Sequence, residues 1–221
     1  MIRFSKLKSK ARITKKGFYI GFCGIDGSGK STQALLLCRW LREQGIDTIV
    51  YETKGNFFSE VAETLARKNK LKSARQYLGN SKYLACLSFE ILRDNMTKIR
   101  PFAEIGTTVV TSRTAFDWLA GAKARGHSIS EIMKAEQIML SAGEPDLVIW
   151  LDVSPKVAQK RISQRGYDTA NIKFLTRYRR AFAAVLKNHE HHRVQADGNI
   201  DEVQGEVKKI VTEFLTKFEN S

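Results

Sequence analysis

One stretch limits what this chain can fold into more than any other: Gly24-Ile25-Asp26-Gly27-Ser28-Gly29-Lys30-Ser31, which reads G-x-x-x-x-G-K-S. It follows the apolar run Phe18 to Cys23 and leads into the amphipathic run Thr32 to Arg42. Four fixed positions coincide by chance in roughly one chain in a hundred of this size. The setting, strand before and helix after, makes coincidence rarer still. Glycines let a backbone wrap a phosphate with its N–H groups pointing inward, and the helix N-terminus adds a positive dipole end.

The expected nucleotide-binding set is therefore Gly24, Asp26, Gly27, Ser28, Gly29, Lys30, Ser31 and Thr32. In such a loop the lysine, Lys30, reaches the β and γ phosphates of ATP and the hydroxyl of Ser31 ligates Mg²⁺. The plainer alternative is a glycine-rich turn with an exposed lysine and a Ser/Thr cap. It accounts for Ser31 and Thr32 but gives no reason for a lysine between Gly29 and Ser31.

Apolar runs and turn signals order the rest of the chain. Strands are expected at Thr48 to Glu52, Thr107 to Thr111, Leu147 to Leu151 and near Arg193 to Ala196. Helices are expected over Ser59 to Lys70, Arg75 to Ile99, after Ser112-Arg113 through Arg125, and over Ser130 to Leu140, Pro155 to Gln164, Ile172 to Asn188 and Ile200 to Phe218. The Arg75 helix should stop before Pro101. Ser154 before Pro155 reads as a cap followed by a first helical position. Strands that are continuously apolar and alternate with helices specify an α/β fold, a three-layer α/β/α arrangement on a five-stranded parallel sheet. Ligands of such sheets bind at the carboxyl ends of the strands. That rim holds the loop, Glu52, Ser112-Arg113 and Asp152.

Charge adds a second theme, since 37 basic residues face 23 acidic ones, a formal net charge of +14. Residues 1–16 carry seven basic side chains and no acid, so they read as a basic arm before a single domain over 17–221. The arm is a solvated tail, a contact for an anionic partner, or a targeting segment. No apolar run approaches the roughly 20 residues that span a bilayer, and the N-terminus lacks a secretory core. Cys23, Cys38 and Cys86 lack metal-ligand spacing and read as small buried hydrophobes in a reducing compartment, so the chain is expected to be cytoplasmic.

The rim residues suit phosphoryl transfer, which works by positioning and cationic stabilisation. Arg161 and Arg165 share a helix face, and Arg165-Gly166 opens a polar segment near 164–171 that reads as a lid over phosphates.

These residues resemble the thymidylate kinase family of P-loop nucleoside monophosphate kinases. Phe22 to Gln33 (FCGIDGSGKSTQ) is similar to that family's F-E-G-x-D-G-x-G-K-[ST]-T-Q, and Pro145 to Val153 (PDLVIWLDV) to its P-D-L-x-x-x-L-D-V. The resemblance implies ATP-dependent phosphorylation of a nucleoside monophosphate, dTMP first among them, with Lys30, Arg113, Arg165 and Asp26 catalytic. It also implies nucleotide contacts from Arg161 and Arg165, an acceptor phosphate on Arg113, Asp26 near the acceptor sugar, and a homodimer. Phe89 and Arg93 match the family's Phe and Arg four residues on, which stack on thymine and bond its edge. From spacing alone the pair is equally a core aromatic beside a surface charge.

Departures cluster on the acceptor side. The family's Asp-Arg-Tyr is Ser112-Arg113-Thr114, so the arginine is kept and its neighbouring carboxylate lost. The family's Arg-Glu-Pro-Gly-Gly-Thr becomes Glu52-Thr53-Lys54-Gly55-Asn56. Two other functions stay open on this reading. One is a deoxynucleoside kinase with Glu52 as base toward a 5′-hydroxyl. The other is an ATP-binding or nucleic-acid-binding module that has lost catalysis.

Overall fold

The computed structural model describes residues 16–53, 56–166 and 171–219. Nearly all of the basic arm, residues Lys54 and Gly55, and the middle of the expected lid, 167–170, lie outside the described residues.

Five strands, β1 (Tyr19–Cys23), β2 (Thr48–Tyr51), β3 (Thr108–Thr111), β4 (Leu147–Asp152) and β5 (His192–Gln195), form one sheet in the order β2-β3-β1-β4-β5. Every pairing is parallel, with Gly21 opposite both Thr111 and Val148. All residues of β1, β3 and β4 are buried, whereas β2 and β5 are partly exposed. This is what continuous apolar runs demand: the central strands of a parallel sheet meet helices on both faces, and its edges meet water. β1 lies at the centre, so the loop leaving its carboxyl end opens where the strand order changes direction, the usual ligand crevice of such sheets.

The helices are α1 (Lys30–Glu43), α2 (Asn56–Lys68), α3 (Ala74–Leu78), α4 (Asn80–Asp94), α5 (Arg100–Glu104), α6 (Ala115–Ala124), α7 (Ile129–Met139), α8 (Pro155–Gln164), α9 (Ile172–Val185) and α10 (Ile200–Glu219). α1 packs against α10, while α6 packs against α7 and α9, and α4 against α7. With the sheet they make the three layers. Ile20, Phe22, Leu37, Phe116, Leu119, Ile149, Leu151 and Phe182 are at or near zero exposure in the core between them. Each such side chain stabilises the fold by about 1.5–3 kcal/mol relative to exposure. Ser154 caps α8 by accepting from the Val157 N–H, and Pro155 opens the helix as its sequence predicts.

Two expectations are corrected. The single helix over Arg75 to Ile99 is divided at Gly79, which stands at φ 79°, ψ 155° and donates its N–H to the Arg75 carbonyl at 2.8 Å. The chain also does not leave helical structure before Pro101. Residues Asn95–Ile99 form a π-helical turn, in which the Arg100 N–H donates to Asn95 five residues back, and Pro101 falls in the first turn of α5. Proline has no N–H to donate, so the helical ladder lacks one bond just past the wider turn. Among the described residues no helix is long and apolar enough to cross a membrane.

Candidate active site

The loop from Gly24 to Gly29 joins β1 to α1. Close packing explains its glycines: a Cβ on Gly24 would stand 2.5 Å from the Leu151 carbonyl oxygen, and one on Gly27 would stand 2.6 Å from that of Ala158. Both have positive φ, 149° and 81°. Gly29 is the N-cap of α1 and supplies no side-chain cap, so the first amides of the helix keep their capacity to bind an anion. Ser31 and Thr32 are exposed on that first turn, and Ser28 is buried within the loop.

Lys30 is buried and folds back over the loop. Its ammonium donates to the carbonyl oxygens of Gly24 at 2.6 Å and Ile25 at 3.0 Å, and lies 3.7 Å from the Asp117 carboxylate. Asp117 is the third residue of α6, where it forms a reciprocal cap with Thr114. One carboxylate oxygen accepts from the Thr114 N–H at 2.9 Å; the other accepts from the Gly24 N–H at 3.4 Å. Burial pushes Asp117 up to about 6, and the charge of Lys30, the Thr114 amide, Arg113 and the Gly24 amide draw it only part of the way back. Tyr178 from α9 closes the far side by donating its hydroxyl to the Asp117 backbone carbonyl at 2.8 Å. Burial holds that phenol well above its ordinary range, with the charges of Asp117 and Asp26 adding to the effect.

Asp117 escapes a reading of the sequence that looks for a carboxylate at position 112. Its local signal is the Thr-x-x-Asp spacing of a helix cap just after β3.

Arg113 follows β3 and lies 3.7 Å from the exposed Asp26 carboxylate, with its guanidinium 5.9 Å from the Trp118 ring centre. An arginine beyond the third strand thus meets the phosphate loop itself. Glu52, half-buried, ends the β2 segment on the same rim.

Arg161 has a different setting from the open helix face that its spacing suggests. It donates to the carbonyls of Ala196 at 2.8 Å and Gly198 at 2.9 Å, and more weakly to Asp197 and to Gly27 of the loop. Its guanidinium therefore straps the loop to the segment before α10. Arg165, the C-cap of α8, is exposed, and Gly166 beside it has φ 77°. Asp152 is withdrawn from the rim: with no side-chain exposure, it accepts from Arg179 at 2.6 and 2.9 Å and from Arg193 at 2.9 Å. Burial alone would raise its carboxyl, but these hydrogen bonds and charges outweigh it and hold the group below its ordinary value.

On α4 the buried side carries Tyr83, Leu87, Glu90, Ile91 and Asp94. Phe89 lies on the opposite side and is 59% exposed. Arg93 lies 3.2 Å from Asp94 and 3.7 Å from Glu90, with its guanidinium 5.5 Å from the Phe57 ring centre. The structure thus gathers Lys30, Asp26 and Arg113 around the loop and Asp117, and leaves the Phe89 ring on an exposed helix surface.

Parallel sheet order, a phosphate loop at the central strand and a cation from the neighbouring strand end define the class, a P-loop nucleotide kinase. A family model described as thymidylate kinase matches residues 22–207. A probable thymidylate kinase of Pyrococcus abyssi is 32% identical over 207 residues, covering 90% of this chain and 98% of that protein. One from Archaeoglobus fulgidus is 30% identical over 90% of this chain and 96% of its own length, and the thymidylate kinase of Caldicellulosiruptor saccharolyticus is 30% identical over 91% and 99%. The chain belongs to the thymidylate kinase family.

Proposed function

We propose that this protein transfers the γ-phosphoryl group of ATP to the phosphate of dTMP. The observation that carries this reading is the approach of Arg113 to Asp26, 3.7 Å, which sets an acceptor-side cation beside the donor loop. A phosphate acceptor needs cations and no base, whereas a hydroxyl acceptor needs a base such as Glu52. Family membership favours the first over a deoxynucleoside kinase and over a module without catalysis.

The loop suits a nucleotide triphosphate and its metal ion: two glycines stand where a Cβ would collide with backbone, and the Ser31 hydroxyl is exposed on the first turn of α1. Ser31 would hold Mg²⁺, which when bound neutralises charge on the phosphate oxygens. Lys30 exchanges the Gly24 and Ile25 carbonyls for the β and γ phosphate oxygens, and the first amides of α1, left without a side-chain cap by Gly29, face the same charge. Arg113 holds the acceptor phosphate in line, and Asp26 lies toward the acceptor sugar while orienting Arg113. Arg165, on the edge of the lid near 164–171, adds a cation as the lid excludes water. Arg161 contributes by fixing the loop against the 196–198 segment. Phe89 offers an open ring face for thymine, and Arg93, oriented by Glu90 and Asp94, bonds the base edge.

The protein is further read as a cytoplasmic homodimer whose basic arm meets an anionic partner. Free thiols at Cys23 and Cys38, both buried, and at Cys86, which is exposed where its apolar helix pattern predicts burial, support the compartment, and exposed Phe57 and Val61 on α2 with Met96 after α4 support the dimer. Sedimentation equilibrium tests the dimer, which a monomer at micromolar concentration refutes.

Phosphorus NMR of a mixture of protein, ATP, Mg²⁺ and dTMP tests the function. Equal amounts of ADP and dTDP are expected. Release of inorganic phosphate with dTMP unchanged, or conversion of thymidine but not dTMP, overturns the reading.

A further inference from the structure

Asp117 is a buried carboxylate whose negative charge the helix cap does not require. Its capping partner, the Thr114 N–H, would be served as well by an asparagine, and burial disfavours the charge. The charge nevertheless faces two parts of the phosphate loop, the Gly24 N–H at 3.4 Å and the Lys30 ammonium at 3.7 Å. Arg113, 3.7 Å from Asp26 of the same loop, also lies close enough to act on it. Within the loop Lys30 donates to the neutral carbonyl oxygens of Gly24 and Ile25, and Asp117 adds a negative charge beside them.

We propose that Asp117 is a positioning residue for phosphoryl transfer: it ties α6 to the loop and holds Lys30 at the loop mouth. Asp117 acts through Lys30 and Gly24 rather than on the substrate. The inference rests on the kinase reading for its effect on turnover, but its geometric content is separate from that reading.

The experiment compares wild type, Asp117→Asn and Thr114→Ala. Three quantities are read: acylation of Lys30 by an amine-reactive ester, followed by peptide mass spectrometry; kcat and KM for ATP; and Tm. Asp117→Asn is expected to speed Lys30 acylation severalfold and to lower kcat at least tenfold, with KM for ATP changing less and Tm not lowered. Thr114→Ala removes the cap hydroxyl, including its 3.3 Å hydrogen bond to the Asp117 carboxylate, but keeps the carboxylate charge and the Thr114 N–H contact, and is expected to lower Tm with Lys30 acylation changed far less than by Asp117→Asn. The inference is overturned if Asp117→Asn leaves Lys30 acylation as in wild type, or if Thr114→Ala changes it equally, since the effect would then come from the helix cap. If wild type turns over no acceptor, the function reading fails while the acylation comparison still decides the role of Asp117.

Discussion

Lys30 and Asp117 lie 3.7 Å apart in the interior, one from the loop after β1 and the other from the helix after β3. The pairing of β1 with β3 brings them together, so the sheet itself joins the phosphate loop to the acceptor-side helix. In the proposed function the Asp117 anion keeps the ammonium buried at the loop until a phosphate takes its place.

Removing the ammonium should cost far more activity than stability. Lys30→Met is expected to lower kcat/KM by about 10²-fold or more, the cost of deleting one charge-stabilising donor. Steady-state rates paired with thermal melting check this, and a change below about threefold contradicts it.

Acceptor chemistry separates Arg113 from Glu52. Arg113→Ala should reduce kcat/KM for dTMP by about 10²-fold, whereas Glu52→Gln should leave turnover within about threefold because a phosphate acceptor needs no base. Kinetics of the two variants with dTMP decide, and the reverse order of effects points to a hydroxyl acceptor.

The pH dependence of stability follows from Asp117. Its folded value, about 6, lies above the ordinary 3.8, so the folded state binds this proton more tightly than the unfolded chain does. The group therefore weakens the fold above pH 6, by up to about 3 kcal/mol at 1.36 kcal/mol per unit. Stability from it recovers as pH falls from about 6 toward 4. Asp117→Asn should melt no lower than wild type at pH 8, and any advantage should shrink through that window. Calorimetry at pH 8, 6 and 4 measures it, and a variant several degrees less stable at pH 8 contradicts it.

Gly27 should tolerate no side chain. Alanine there meets the Ala158 carbonyl at 2.6 Å with φ at 81°, so Gly27→Ala is expected to cost about 1–3 kcal/mol and to weaken nucleotide binding together with it. Melting and titration with a fluorescent ATP analogue test both effects.

Asp152 is predicted to act on stability alone. Asp152→Ala strands Arg179 and Arg193, but these are 33% and 56% exposed, so the loss should be about 1–3 kcal/mol rather than that of a fully buried pair. Because its folded value is depressed, this contribution is present above the ordinary carboxylate value and disappears as pH falls below it. Denaturant melts with activity measured alongside would show a stability loss with kcat preserved.

The strands and the loop are legible because their signals are local. Phe18 to Cys23 and Leu147 to Leu151 are continuously apolar, and the loop's lysine lies between glycine and serine. The interruption at Gly79 is not legible, since a glycine inside an amphipathic run is compatible with helix until its φ is known. Pro101 misleads in the other direction, as a π turn ahead of it lets the chain stay helical. Asp152 and Arg161 appear in sequence as a free acid and a free cation at the rim. Their partners, Arg179 with Arg193 and the carbonyls of residues 196 to 198, are distant in sequence and adjacent only through β5 and α9. Asp117 shows its cap locally, but its approach to Lys30 exists only through strand pairing.

The central claim is tested most directly by ADP release from ATP and Mg²⁺ in a coupled assay across dTMP, dUMP, other nucleoside monophosphates and free deoxynucleosides. The account predicts turnover with dTMP well above every free nucleoside. Turnover with thymidine in place of dTMP, or ATP bound with no acceptor in the panel phosphorylated, would contradict it.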